Sequence, residues 1–418
     1  MKEHSGYLLL APLGILLLGV GVLLLQRIVP LSDSLLLWGG AVIVSTILVY
    51  VALSRRHAGT DRTLFPAAML LASLGVVMIG RLKPALFLTQ MRWLLLGVLV
   101  YLAVVFCGRR ILRLLSYPYI LGIFCLLLLC SALFFGTEIG GSRNWIVFGS
   151  FAVQPSEFGK IVIIMFLAAY LTEHREVLIL PRHKVLWLKL PVLRFIAPLL
   201  CIWGVAVLMF VVQRDLGSAL LFFGIAVLMT YMATGRKSYV VLAFAVFFGA
   251  AVISYFMFSH VRVRFHIWLD PWADPSGSAY QVVQSLFAFG SGGVWGAGFA
   301  HGHPTLIPEV HTDFIFAAIA EELGLLGAIG VMLVFALFFY RSIRIALACR
   351  EGQNMLLAAG IAVVFFLQAF IIIAGVTKFL PLTGITLPFV SYGGSSMISS
   401  FILLGILTVL SKKENRHD

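Results

Sequence analysis

The residue best placed for chemistry is Asp313, in the segment IPEVHTDFIF (307–316), where a long polar stretch returns to an apolar run that soon carries Glu321 and Glu322. A carboxylate at such an edge has its charged form disfavoured by desolvation, and a carboxylate so tuned can serve as a general base. The plainer reading makes Thr312 or Asp313 a helix N-cap. Glu157 and Lys160, three apart in QPSEFGK, share one helix face. They are either a local ion pair anchoring a helix end, or a lysine turned to an anionic ligand and oriented by the glutamate. Arg143 lies in the glycine-rich GGSRNW, as an interfacial anchor beside Trp145 or as a ligand cation. Asp215, in QRDLGS, suits an N-cap or a ligand contact. Lys378 precedes LPLTGITLPFVSYGGSS (380–396), whose prolines and glycines leave backbone groups free, which membranes tolerate only beside protein or a polar cavity. His301, His303, His311 and Glu309 are of ligand types that a divalent metal accepts, but no HExxH helix accompanies them. GSGGVWGAG (290–298) matches no nucleotide-binding fingerprint and reads as turn chemistry.

The elements that must position these residues are membrane helices. Of 418 residues, 61% are hydrophobic and 11% charged, against roughly 25% charged in soluble domains. The apolar residues fall in runs near the length of about 20 that a spanning helix needs. Twelve spans are expected, at 7–29, 35–53, 64–80, 92–107, 117–135, 157–172, 195–212, 216–234, 238–258, 313–340, 355–377 and 388–410. If the N-terminus lies inside, alternation puts about two-thirds of the 30 Lys and Arg at inner positions. The positive-inside rule favours that topology, with both termini cytoplasmic. Two joints are long. Residues 173–194 read as an interfacial segment on an anionic leaflet. Residues 259–312 form a large extracellular loop, within which 279–289 reads as a surface amphipathic helix. The first two spans, residues 1–63, stand apart from a ten-span core at 64–411 and a tail at 412–418.

The formal net charge of +13 would point to nucleic acid in a soluble chain; here it sorts by membrane side, so membrane lipids and no nucleic acid are expected. The five cysteines lie in or beside apolar runs without a CxxC pair, which argues against a disulfide framework.

Five ordered blocks make the chain resemble the shape, elongation, division and sporulation family, the FtsW/RodA/SpoVE group of cell-wall polymerases. They are GGSRNWIVFGSFAVQPSEFGK (140–160), QRDLGSAL (213–220), WLDPWADPSGSAYQVVQSL (268–286), IPEVHTDFIFAAIAEELGLLGA (307–328) and KFLPLTGITLPFVSYGGSS (378–396). The WLDPW and HTDF wording resembles the division-type members most. The chain departs from the pattern in its two extra N-terminal spans and in Arg214, where proline often precedes the aspartate.

The resemblance implies an all-α polytopic protein of the bacterial cytoplasmic membrane that polymerises lipid II, a disaccharide-pentapeptide on undecaprenyl pyrophosphate, on the outer face. It implies that Asp313 is the essential acid, and that Arg143, Glu157 and Lys160 line a polar cavity. Lys378 and Ser391 carry over as further cavity residues. Asp313 would take the proton from the acceptor's 4-hydroxyl, while Arg143, Lys160, Arg262, Arg264 and Lys378 are cations available to the leaving pyrophosphate. The outcome would be inverting, giving a β-1,4 linkage. A divalent cation, Mg or Mn, could bridge pyrophosphate and Asp313, but the sequence requires none. The implied partner is a class B penicillin-binding protein transpeptidase, with other divisome or elongasome proteins. Two other functions use the same features: a lipid II flippase, which broken helices and buried charges also suit, and a non-catalytic scaffold that recruits a transpeptidase.

Overall fold

Long runs of leucine, valine and isoleucine form helices here because, in an apolar layer, only a helix pairs every backbone group within its own segment. The computed structural model describes residues 6–56, 59–139, 142–149, 151–179, 183–185, 188–190 and 193–412; residues 413–418 of the expected tail lie outside these. In chain order the elements are α1 (Leu10–Leu25), α2 (Asp33–Arg56), α3 (Leu64–Leu82), α4 (Pro84–Leu112), α5 (Pro118–Phe135), β1 (Thr137–Ile139), β2 (Ser142–Phe148), β3 (Phe151–Val153) and α6 (Pro155–Glu173). They continue with α7 (Arg175–Ile179), β4 (His183–Val185), β5 (Leu188–Leu190), α8 (Leu193–Val212), α9 (Leu216–Thr234), α10 (Lys237–Met257) and α11 (Ser259–Leu269). The last are α12 (Tyr280–Gly292), α13 (Ile315–Ala348), α14 (Gly352–Val376) and α15 (Gly394–Leu410).

Among the described residues, ten helices are long and apolar enough to cross a membrane. Two shorter apolar helices, Ile196–Met209 and Gly394–Leu410, fall at the other two expected positions. Several bounds move for local reasons. Pro84, Pro118 and Pro155 each open a helix, where proline's missing N–H costs nothing, so the fourth helix starts eight residues earlier than expected. The last begins at Gly394 because residues 380–393 are irregular.

One expectation changes. Strands are present: β1, β2 and β3 form an antiparallel sheet in that order, with Ile146 opposite Val153 and Phe148 opposite Phe151. The segments WIVF and FAV are too short to span a membrane, and pairing them satisfies their backbone groups. The expected large loop at 259–312 carries structure of its own: α11, α12 near the expected place, and 3-10 turns at Pro271–Ala273 and Pro304–Leu306.

The elements group into two units. The first holds residues 1–109, 270–341 and 368–418, the second residues 110–269 and 342–367. Lipid removes most of the hydrophobic drive between helices, so packing relies on close approach at small residues. In the first unit Gly19 of α1 faces the Val77 side chain of α3, and Leu16 and Leu23 are buried, so the extra helix joins this unit. α2 buries Leu35, Val42, Thr46, Val49 and Leu53 along one stripe, and its Trp38 ring lies 5.2 Å from the Arg92 guanidinium. Gly97 and Gly108 of α4 meet Phe401 and Val409 of α15, and the Tyr101 and Thr408 hydroxyls lie 3.1 Å apart. In the second unit α6 is buried along most of its length, with Gly159 against Leu129 of α5. α10 buries only Tyr239, whose hydroxyl donates to the Leu178 carbonyl at 2.9 Å.

The first unit also contains an interrupted helix. At Gly324 (φ 68°, ψ −170°) α13 leaves helical geometry. In an unbroken helix Leu325 N–H would bond the Glu321 carbonyl, and Leu326 N–H the Glu322 carbonyl. Instead Leu325 N–H donates to the Gly293 carbonyl (2.9 Å) and Leu326 N–H to that of Val294 (3.4 Å). The Glu321 and Glu322 carbonyls accept from Ala297 N–H (2.9 Å) and Gly298 N–H (3.1 Å). A strap of residues 293–298 thus replaces two helical bonds with four of its own. A Cβ at Gly324 would lie 2.3 Å from Gly296 N and 2.4 Å from the Val294 carbonyl oxygen, in a backbone region open essentially to glycine alone. Gly324→Ala should therefore cost about 2–4 kcal/mol, read as a lowered thermal midpoint of the detergent-solubilised protein.

Candidate functional site

Asp313 sits in a turn held mostly by backbone. Glu309 adopts φ 52°, and its carbonyl accepts from both Thr312 N–H (3.1 Å) and Thr312 Oγ1 (2.9 Å). Val310, Phe314 and Ile315 are buried beside it. Ala318 N–H donates to the Phe314 carbonyl, and α13 starts at Ile315. Phe314 therefore holds the cap position, and Asp313 stands one residue before it. The irregular segment after Lys378 seals the turn. Ser391 Oγ donates to the Thr312 carbonyl at 2.6 Å while accepting from Leu387 N–H at 2.9 Å, and Tyr392 N–H donates to the His311 carbonyl at 2.9 Å. The expected ligand Ser391 is thus, in its contacts, the residue that fixes the Asp313 turn.

The Asp313 side chain is half-buried. Facing it is Gly384, exposed and at φ 75°, where a Cβ would come 3.5 Å from Asp313 Oδ2, an ordinary contact distance. Lys378, also half-buried, takes φ 62° where the chain leaves α14. His311 is buried, its ring centroid 5.6 Å from that of Tyr392 and its Nε2 3.7 Å from the Glu309 carboxylate. Burial pushes its pKa down, the Lys83 charge adds to this, and Glu309 opposes it.

The other candidates belong to the second unit. Lys160 and Glu157 form a buried ion pair, at 1% and 8% exposure, in line with the shared helix face. Asp215 is the N-cap of α9, and its carboxylate accepts four hydrogen bonds. The donors are Ser218 N–H (3.0 Å), Ser218 Oγ (2.8 Å), Asn144 Nδ2 (2.8 Å) and Gln154 Nε2 (3.4 Å). It therefore ties β2 and the start of α6 to α9. The exposed Arg143 donates through Nε to the Gly136 carbonyl (2.9 Å) and through its backbone N–H to that of Gln213 (3.3 Å). Arg262 folds back on the Tyr255 and Phe256 carbonyls at 3.5 and 3.2 Å. Arg264 and Arg214 act on His260 instead, reinforcing the downward shift that burial gives its imidazole. The departure at Arg214 thus places a second cation beside His260.

Among the described residues no three His, Cys, Asp or Glu side chains converge on a metal site, and His301 Nδ1 lies 3.0 Å from the Phe299 carbonyl oxygen. Two groups escaped the sequence reading. One is Asn144 and Ser218 around Asp215. The other is Arg81 with Glu322, whose Nε–Oε1 distance is 3.0 Å. Arg81 and Lys83 did carry a signal, since both lie on the expected outer side, where the charge bias makes cations scarce.

The His311 shift has a consequence for stability. A folded-state pKa below the ordinary histidine value near 6.5 gives a contribution present above that value and lost as pH falls through the folded one. The groups facing it are Lys83, Glu309 and Tyr392. The thermal midpoint should hold at pH 7 and above and fall at acidic pH, and His311→Gln should remove that component of the fall.

The family model described as "Cell cycle protein", covering FtsW, RodA and SpoVE, matches residues 61–416. The peptidoglycan glycosyltransferase RodA of Mycobacterium tuberculosis is 39% identical over 383 residues, covering 88% of this chain and 81% of the relative. A probable peptidoglycan glycosyltransferase FtsW of Geobacter metallireducens is 36% identical over 307 residues, covering 71% and 77%. Relatives named RodA and FtsW thus match at similar identity. A chain from a solved peptidoglycan synthase complex superposes with a TM-score of 0.71 at 28% identity, over 85% of this chain and 99% of that one. The crystal structure of Thermus thermophilus RodA gives 0.61 at 27%, over 86% and 98%. With the model match running through nearly the whole chain beyond α2, the protein belongs to the FtsW/RodA/SpoVE family.

Proposed function

We propose that this chain is a peptidoglycan glycosyltransferase that polymerises lipid II into β-1,4-linked glycan on the outer face of the bacterial cytoplasmic membrane, with both termini inside. The observation that carries the reading is Asp313: a half-buried carboxylate on a turn pinned from both sides, with exposed Gly384 against its Oδ2. Relatives at 36–39% identity are named for this activity.

The reaction needs three things of the protein. The acceptor sugar's 4-hydroxyl must lose its proton as its oxygen attacks the donor's anomeric carbon, and Asp313 takes that proton. The bond from that carbon to the diphosphate oxygen breaks, and its electron pair leaves with the lipid diphosphate. The charge that develops there calls for fixed cations. We assign this role to Lys378, which belongs to the same unit as Asp313; Arg143, Lys160 and Arg264, with Glu157 beside Lys160, are candidate cations of the second unit. Asp215 and Ser391 serve as positioning groups, since their polar atoms are spent on the protein itself. Attack opposite the leaving group inverts the anomeric centre. If magnesium or manganese takes part, Asp313 would be the residue to hold it and the ion would supply positive charge to the leaving diphosphate; no step here is routed through one. The partner we propose is a class B penicillin-binding protein, in keeping with the solved synthase complex that coordinates polymerization and crosslinking.

Purified protein with its cognate transpeptidase, given fluorescent lipid II, should make glycan polymer. Asp313→Ala should lower the rate by about 10²-fold or more while still binding lipid II. Undiminished polymerisation by the variant would remove Asp313 as the base. Lipid II crossing liposome bilayers without any polymer would favour the flippase.

A further inference from the structure

The strap that fills the break in α13 is held by side chains as well as backbone. Glu322 is 1% exposed and pairs with Arg81 at the end of α3, Nε to Oε1 at 3.0 Å. Its other oxygen accepts from Ala300 N–H at 3.1 Å. Arg81 Nη2 reaches past the carboxylate to the Gly302 carbonyl at 3.0 Å. Glu321, also buried, accepts from His303 N–H at 2.7 Å. Both acids point their oxygens at residues 300–303, the continuation of the strap, and one arginine from a different helix bridges acid and that continuation.

A buried ion pair is weak evidence for stability, because well-packed apolar residues of similar volume often do as well. What such a pair supplies is a definite geometry. Here the geometry concerns the turn at Asp313. Gly298 N–H is bonded to the Glu322 carbonyl and Ala297 N–H to that of Glu321, so the chain between them is a closed loop of about twenty residues, and Asp313 lies inside it. One flank of that loop is the strap and the other is the first turns of α13. The clamp sits where the two meet.

We infer that Arg81 and Glu322 are positioning residues for Asp313: their ion pair clamps residues 293–303 into the break of α13, and so fixes both flanks of the segment that presents the carboxylate. Neither touches the reacting atoms. This rests on the assignment of Asp313 as base, and it adds that the base is held from a helix that carries none of the expected site residues. A misplacement of about 1 Å can cost on the order of 10²-fold in rate, so loosening the clamp should act on turnover rather than on lipid II binding.

The test uses the full chain in nanodiscs with its cognate transpeptidase, and reads both hydrogen exchange and polymerisation of fluorescent lipid II. In Arg81→Ala, amides 297–303 should lose protection while those of α3 and of α13 beyond the break keep it, which separates local release from unfolding. Turnover per lipid-II-binding site should fall roughly 10- to 100-fold with KM within about threefold. Arg81→Lys, which keeps the charge but loses the fork that also reaches Gly302, should recover part of the turnover. A strap that stays protected in Arg81→Ala overturns the clamp, and a released strap with wild-type turnover overturns its positioning role. If Arg81→Ala does not fold, Arg81→Lys decides: wild-type turnover contradicts the inference. Asp313→Ala is the separate control. Full polymerisation by that variant would sink the base assignment, whereas an inactive Asp313→Ala beside a fully active Arg81→Ala would sink the clamp alone.

Discussion

Backbone polar groups in an apolar layer must find partners, and at Gly324 this requirement shapes the first unit. Breaking α13 frees the carbonyls of Glu321 and Glu322 and the amides of Leu325 and Leu326, and residues 293–298 satisfy all four. A strap that completes a helix cannot wander. Residues 270–312 are therefore organised by the same bonds that repair α13, and the turn bearing Asp313 is reached from two anchored ends. The irregular segment after Lys378 meets the same requirement differently. The Tyr392 amide and the Ser391 hydroxyl donate to the carbonyls of His311 and Thr312, so two non-helical stretches complete one another around the candidate base.

The second unit shows the same economy with side chains. Asp215 gathers Ser218, Asn144 and Gln154 around one carboxylate, joining a short sheet to two helices. A single buried acid with four donors has its lone pairs filled, which makes it a fastener. Glu157 is instead balanced by the charge of Lys160 beside it. Acids of this kind hold a frame; the proposed proton transfer is assigned to another carboxylate, Asp313, half-buried on its turn in the first unit.

The helices were legible because a spanning run needs little more than length and apolar composition, and both are written in the sequence. The amphipathic helix α12 and the ion pair at Glu157 and Lys160 followed from helical spacing, and the cap at Asp215 from residue type. The β1–β2–β3 sheet was not legible, because GGSRNWIVFGSF reads equally as a turn beside a membrane anchor until its strands find each other. Neither was the break at Gly324, since one glycine in AEELGLLGA is ordinary in a membrane helix and its meaning depends on a strap some thirty residues earlier. Arg81 pairs with a residue 241 positions away, a separation that no local pattern encodes.

The central claim is that this chain itself forms the glycan bond. It is tested most directly by incubating the purified protein with lipid II and a cognate transpeptidase whose active-site serine has been removed, then digesting the product with a muramidase that cuts only β-1,4 linkages. The account predicts long glycan strands that the muramidase reduces to disaccharide units. Recovery of unreacted lipid II, or of a polymer that the muramidase leaves whole, would contradict it.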